Sequence, residues 1–146
     1  MARVGRAFAV VSAAALAASA NATAAAFLSP SVVSSTGGQL FTLVVESERE
    51  GQFVPVSQVE LFVPKGFSVD SFEPAAGWEQ DWTIQRVQKA TWTRDEEDLR
   101  NEKERREVSE QDAYFRFFGR PTAEKAYTFT VRQTYADGSV VQWGPR

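Results

Sequence analysis

The chain has 146 residues, 19 Asp and Glu against 16 Lys and Arg, and neither His nor Cys. Without His or Cys there is no usual general base, no Ser-His-Asp or Cys-His nucleophile system and no tetrahedral zinc site. A net charge of −3 repels nucleic acid and anionic lipid, so neither is an expected partner, and no disulfide framework can form.

The chain opens with the pattern of an export signal. Arg3 and Arg6 form a short positive region, and Ala7 to Ala20 is an apolar run interrupted by Ser12 and Ser19. Small residues follow, with A-x-A cuts possible after Ala22, Ala24 or Ala26. Residues 1–24 are therefore expected as a signal peptide, and 25–146 as one exported domain that is periplasmic, extracellular or at the cell surface. A retained N-terminal anchor is the alternative, although the run is short and Ala-rich for a span. No second apolar run follows, so no transmembrane anchor is expected in the mature domain.

From Leu40 onward the pattern predicts strands. Leu40 to Glu46 places Phe41, Leu43 and Val45 on one face, the period of two that marks a half-buried strand. Thr36-Gly37-Gly38 before it reads as a turn, and Glu46 to Gly51 after it as a charged connection. Ser57 to Val63 alternates again, with Val59, Leu61 and Val63 inward, while Phe62 breaks the polar side. Pro64-Lys65-Gly66 ends that strand. Phe67, Val69 and Phe72 predict a short strand up to Pro74, and Pro74 to Trp78 a turn.

Trp82 to Val87 and Ala90 to Thr93 predict a strand pair around Gln88-Lys89. Ala113 to Phe118 is dense in aromatics and predicts a central strand, with Arg120-Pro121 to Lys125 a loop. Tyr127 to Tyr135 alternates over nine residues, and Asp137-Gly138 then lets the chain reverse toward Trp143. Seven or eight short strands with turn signals predict an all-β fold, an antiparallel β-sandwich of immunoglobulin-like shape. Its core should hold Leu43, Val45, Val59, Leu61, Val63, Phe115, Phe117, Phe129 and Val131.

The segment 94–112 breaks the pattern. From Arg94 to Asp112 it carries five basic and nine acidic side chains, with Leu99 and Val108 as aliphatic residues. It predicts a solvated, charged loop, with room for a helical turn where Glu102 and Arg106 stand i, i+4 in the favourable order. Asp95-Glu96-Glu97-Asp98 is acidic but lacks the alternating ligands and Gly of an EF-hand calcium loop.

Several segments, in order, resemble the YcnI-like copper-binding domain family over about Ala25 to Trp143. They are Phe27-Leu28-Ser29-Pro30, Phe41 to Val45, Val59 to Phe67 with its Pro64-Lys65-Gly66, and Pro74 to Trp78. Thr91-Trp92-Thr93, Phe115 to Phe117 and Gln133 to Gly138 complete the series. The resemblance implies an immunoglobulin-like sandwich and a role in extracytoplasmic copper homeostasis. It also implies copper held by the new N-terminal amine and the imidazole of a leading His, with a carboxylate and a nearby Trp.

In this chain Ala25 stands at the position of that His, so a cut after Ala24 supplies an amine without an imidazole. Trp143 aligns with the family's Trp, and Glu110 and Asp112 are the candidate carboxylates. On its own evidence Trp143 reads as a core aromatic closing the last strand, and Trp78 and Trp92 read as core. The resemblance thus implies a copper site that is weakened or lost, or one completed by a copper-transport or copper-chaperone protein. A metal-free adhesion or protein-interaction module is the alternative. No enzymatic activity is expected, because no defined acid-base pair stands out.

Overall fold

The computed structural model describes residues 8–12, 26–34, 37–46, 54–84 and 86–144. The cuts after Ala22 and Ala24, Ala25 itself, Thr36 and residues 47–51 of the charged connection lie outside the described residues.

The described residues form two packed sheets and a small third ribbon. One sheet has the order β2 (Ala26–Ser29), β4 (Gln39–Val45), β9 (Ala113–Pro121), β6 (Phe67–Phe72). The facing sheet runs β12 (Val140–Trp143), β11 (Thr130–Tyr135), β5 (Val56–Val63), β8 (Gln88–Arg94), β7 (Trp78–Thr83). Every pairing in these two sheets is antiparallel. The ribbon is β10 (Ala126–Thr128), β1 (Phe8–Ser12), β3 (Val32–Ser34), with β1 parallel to β10. In the uncut chain β1 thus lies inside the stretch expected as a leader.

The predicted core is the observed one. Leu43, Val45, Val59, Leu61, Val63, Phe115, Phe117, Phe129 and Val131 are all buried. Burial alternates strictly along β9, where Phe115, Phe117, Gly119 and Pro121 point inward. Ring contacts join the layers: Trp92 stacks on Phe115 at 4.5 Å, and Phe67 meets Phe129 edge-on at 5.1 Å. Phe67, Val69 and Phe72 share the inward side despite uneven spacing, because a bulge between Val69 and Ser71 shifts the register. Gly119 is needed where β6 and β9 touch, since a Cβ there would come within 2.6 Å of the Ser68 carbonyl.

Several local expectations need correction. The β7–β8 pair begins at Trp78, β7 ends at Thr83 and β8 starts at Gln88, so Gln88 and Lys89 belong to a strand. Pro121 ends β9, where it needs no ladder donor, instead of opening the loop. The Tyr127 to Tyr135 strand is interrupted at Phe129, which divides it into β10 and β11. Phe62 tolerates the outer face of β5 because the Arg132 guanidinium and the Lys89 ammonium lie 5.2 and 5.8 Å from its ring centre.

The charged segment is ordered into a 3₁₀ turn, Glu96–Leu99, and a helix α1, Glu102–Ser109. Asn101 caps α1: its side-chain oxygen accepts from the Glu104 N–H at 2.9 Å, and its amide donates back to the Glu104 carboxylate. The predicted Glu102–Arg106 pair forms at 3.8 Å. Arg94 and Ser109 are exceptions to the solvated reading. Arg94 ends β8, Ser109 ends α1, and both are buried.

Candidate functional site

The residues expected around copper fall in three places. Ala25 lies outside the described residues, but its neighbour Ala26 opens β2, fully buried, opposite Val45. Val45 faces Ala113 in turn. Ala26, Val45 and Ala113 form one rung, and Glu46 and Asp112 are the residues just beyond it on their strands. Neighbouring strands lie about 4.8 Å apart, so Asp112 stands near the start of β2 with Glu46 between them. Glu110 is exposed at the C-terminal cap of α1, off this rung.

Trp143 belongs to the core. It is 3 % exposed and shares a rung with Val131, Leu61, Ala90 and Trp82. Its indole Nε1 donates to the buried Gln133 Oε1, so its polar atom is used inside the sandwich. Trp82 packs 5.3 Å from Phe72, whose ladder partner is Phe117. That level lies four residues of strand from the Ala113 rung, roughly 13 Å at 3.3 Å per residue.

These residues do not fit a copper centre. No group of three or more His, Cys, Asp or Glu that could hold a metal occurs among the described residues. What gathers at the start of β2 is carboxylate, whereas Cu(II) favours nitrogen-rich tetragonal sets.

A second location was missed at the sequence level. Arg94 points inward because Ala90, Trp92 and Arg94 continue the period of two, a signal hidden by the charge run that follows. Its Nε donates to the Val56 carbonyl at 2.7 Å, and its guanidinium lies 4.2 Å from the Trp78 ring centre. Burial lowers its pKa to about 10, while the charges of Asp98 and then Asp95 pull the other way. It therefore stays cationic through the neutral range.

Next to Arg94 the Pro74–Gly77 turn and the end of α1 enclose a cleft of about 560 Å3. Gly77 makes the turn at φ +88°, where its missing Cβ also leaves room for the Asp98 carboxylate. The Gly77 carbonyl accepts the Asp95 N–H at 2.8 Å, fixing the 3₁₀ turn against it.

No protein-family model and no curated protein matches the chain. Among solved structures it resembles an uncharacterized protein from Nocardia farcinica described as having an immunoglobulin-like fold. The TM-score is 0.55 at 24% identity, over 86% of this chain and 84% of that one. A non-cellulosomal cohesin from the hyperthermophilic archaeon Archaeoglobus fulgidus aligns at a TM-score of 0.45 and 13% identity. That alignment covers 74% of this chain and 80% of the cohesin. The likeness concerns the fold: the chain is an immunoglobulin-like β-sandwich.

Proposed function

We propose that the chain is an exported, non-catalytic binding domain of YcnI-like type whose copper position is weakened or lost. The supporting observation is the rung Ala26–Val45–Ala113, which sets the carboxylate-bearing residues Glu46 and Asp112 beside the start of β2. An amine at Ala25 with such carboxylates lacks the imidazole that would make the set tight for Cu(II). A copper-transport or copper-chaperone protein that supplied stronger ligands would be the natural partner of such a site. The test is a Cu(II) titration of protein cut to begin at Ala25, followed by absorbance and melting temperature. No saturable binding is expected at micromolar copper, and a tight site would refute the reading.

A metal-free interaction module is the second reading, favoured by the outer face of the four-stranded sheet. Phe27, Val44 and Tyr114 are cross-strand partners there, as are Leu40 and Phe118. Phe27, Tyr114, Leu40 and Phe118 are 38 to 51% exposed. Under this reading, a photo-cross-linker at position 118 captures one discrete partner on intact cells, and Tyr114→Ser abolishes the capture. Capture that survives Tyr114→Ser would remove the support.

A further inference from the structure

Arg94 is 8 % exposed, yet it lines the cleft together with Trp78, Asp98, Val108, Tyr114 and Arg116. Its Nε is committed to Val56, and one face of the guanidinium to Trp78. Among the described residues the two terminal nitrogens make no hydrogen bond, and no carboxylate comes within ion-pair distance of them. Asp98 and Asp95 act on this charge from farther away. The terminal nitrogens are not among the buried unpartnered polar atoms and open onto the cleft, where their planar fork of four N–H donors is matched best by a planar two-oxygen acceptor.

We propose that this cleft binds an organic monocarboxylate, its two oxygens on the terminal nitrogens of Arg94. Asp98 and Asp112 also line the cleft and repel a dianion such as phosphate, whereas Arg94 and Arg116 together leave room for a single negative charge. The volume is much larger than a carboxylate needs and is typical of small-molecule pockets. The rest of the ligand lies against Val108 and the Tyr114 ring, which is 51% exposed. Both a free aromatic or aliphatic acid and the C-terminal carboxylate of a peptide present this chemistry. The cleft also takes in Asp112 and Ala113, the β9 end of the rung beside the start of β2, but the proposed contact is made by Arg94 and does not depend on copper.

The test titrates the full chain, by amide NMR, with benzoate, N-acetylphenylalanine, methyl benzoate and inorganic phosphate. Benzoate or N-acetylphenylalanine should shift resonances of residues 74–78 and 108–116, and neutral methyl benzoate should not. A tighter response to N-acetylphenylalanine identifies a peptide terminus, and a tighter response to benzoate a free acid. Asp98→Asn should tighten binding about threefold by removing a competing charge. Arg94→Lys, which keeps the charge but loses the planar fork, should weaken binding about tenfold or more. Should Arg94→Lys fail to fold, the exposed variant Tyr114→Ala and Asp98→Asn still test the site by loss and gain. The proposal falls if shifts are absent, if phosphate or methyl benzoate binds as well, or if folded Arg94→Lys binds unchanged.

Discussion

Arg94 and Trp78 are direct partners in the ladder between β7 and β8, and the guanidinium lies 4.2 Å from the indole ring centre. On its other side Trp78 meets Phe115 edge-on at 5.0 Å. A buried cation is therefore joined through one aromatic ring to the centre of the sandwich. Cation–π attraction reaches about 2 kcal/mol where both partners are desolvated, which offsets part of the cost of burying the charge.

Trp78→Ala should accordingly destabilise the domain more than Arg94→Met. The first opens a cavity beside Phe115 and strips the cation of its ring, at about 3 kcal/mol or more. The second removes a charge that is expensive to bury and keeps the aliphatic stem, at about 1 kcal/mol. Urea unfolding of both variants checks the order. The reverse order would mean that the Val56 hydrogen bond, and not the ring, holds Arg94 in place.

The pH dependence follows from the sign of the Arg94 shift. Its folded pKa, about 10, is below the unfolded value, so the unfolded state holds the proton to higher pH. Its burial penalty is constant below about pH 10 and is relieved only above it. The charged groups facing it are Asp95, Asp98, Asp112 and Arg116. The stability difference between wild type and Arg94→Met should thus be flat from pH 6 to 9. A slope in that interval, measured by urea unfolding, would show that the guanidinium titrates with another partner.

The helix in the charged segment should unfold locally and cheaply. Ser109 is the one buried residue of α1, so packing contributes little, and the Asn101 cap carries much of its order. Asn101→Ala should cost about 1 kcal/mol of local stability. Hydrogen exchange at the amides of residues 102–109 should accelerate, while exchange in β5 and β9 stays the same. Equal acceleration in the core strands would mean that α1 unfolds with the sandwich.

The buried faces were legible because one-sided burial imposes a period of two on Phe41, Leu43, Val45 and on Val59, Leu61, Val63. Phe72 was also legible as apolar, but the bulge that turns it inward carries no sequence mark. Arg94 was hidden because composition groups it with the acidic run after it, whereas the ladder groups it with Trp92 and Ala90. The candidate metal residues were legible only by resemblance, which aligns residues but does not show where their polar atoms point. Trp143 lies in the core, with its Nε1 already bonded to Gln133.

Glu60 should matter more than an ordinary surface carboxylate. It is 9 % exposed on the outer face of β5 and pairs with Lys89 at 3.0 Å and Arg132 at 3.4 Å. Both cations also flank Phe62. Glu60→Gln should cost about 1 kcal/mol, since both cations are about a third exposed and regain water. A loss unaffected by Lys89→Met and Arg132→Met in double-mutant cycles would assign the effect to packing.

Copper affinity should return in part when an imidazole is restored beside the carboxylates. Bound ligand stabilises the native state by RT ln(1 + [L]/Kd), so free metal at about 100 Kd adds roughly 2.7 kcal/mol. Protein cut to begin at Ala25 should therefore show no appreciable thermal shift at micromolar Cu(II), and the same protein carrying Ala25→His should show one. Because the ladder sets Glu46 and Asp112 beside the start of β2, adding Glu46→Gln or Asp112→Asn should reduce that gain. Adding Glu110→Gln, at the end of α1, should leave it unchanged. Trp143→Phe should change overall stability through the lost Gln133 bond more than it changes the copper-dependent shift. A gain that depends on Trp143 but not on Glu46 or Asp112 would place the metal against the indole and contradict the geometry of the rung.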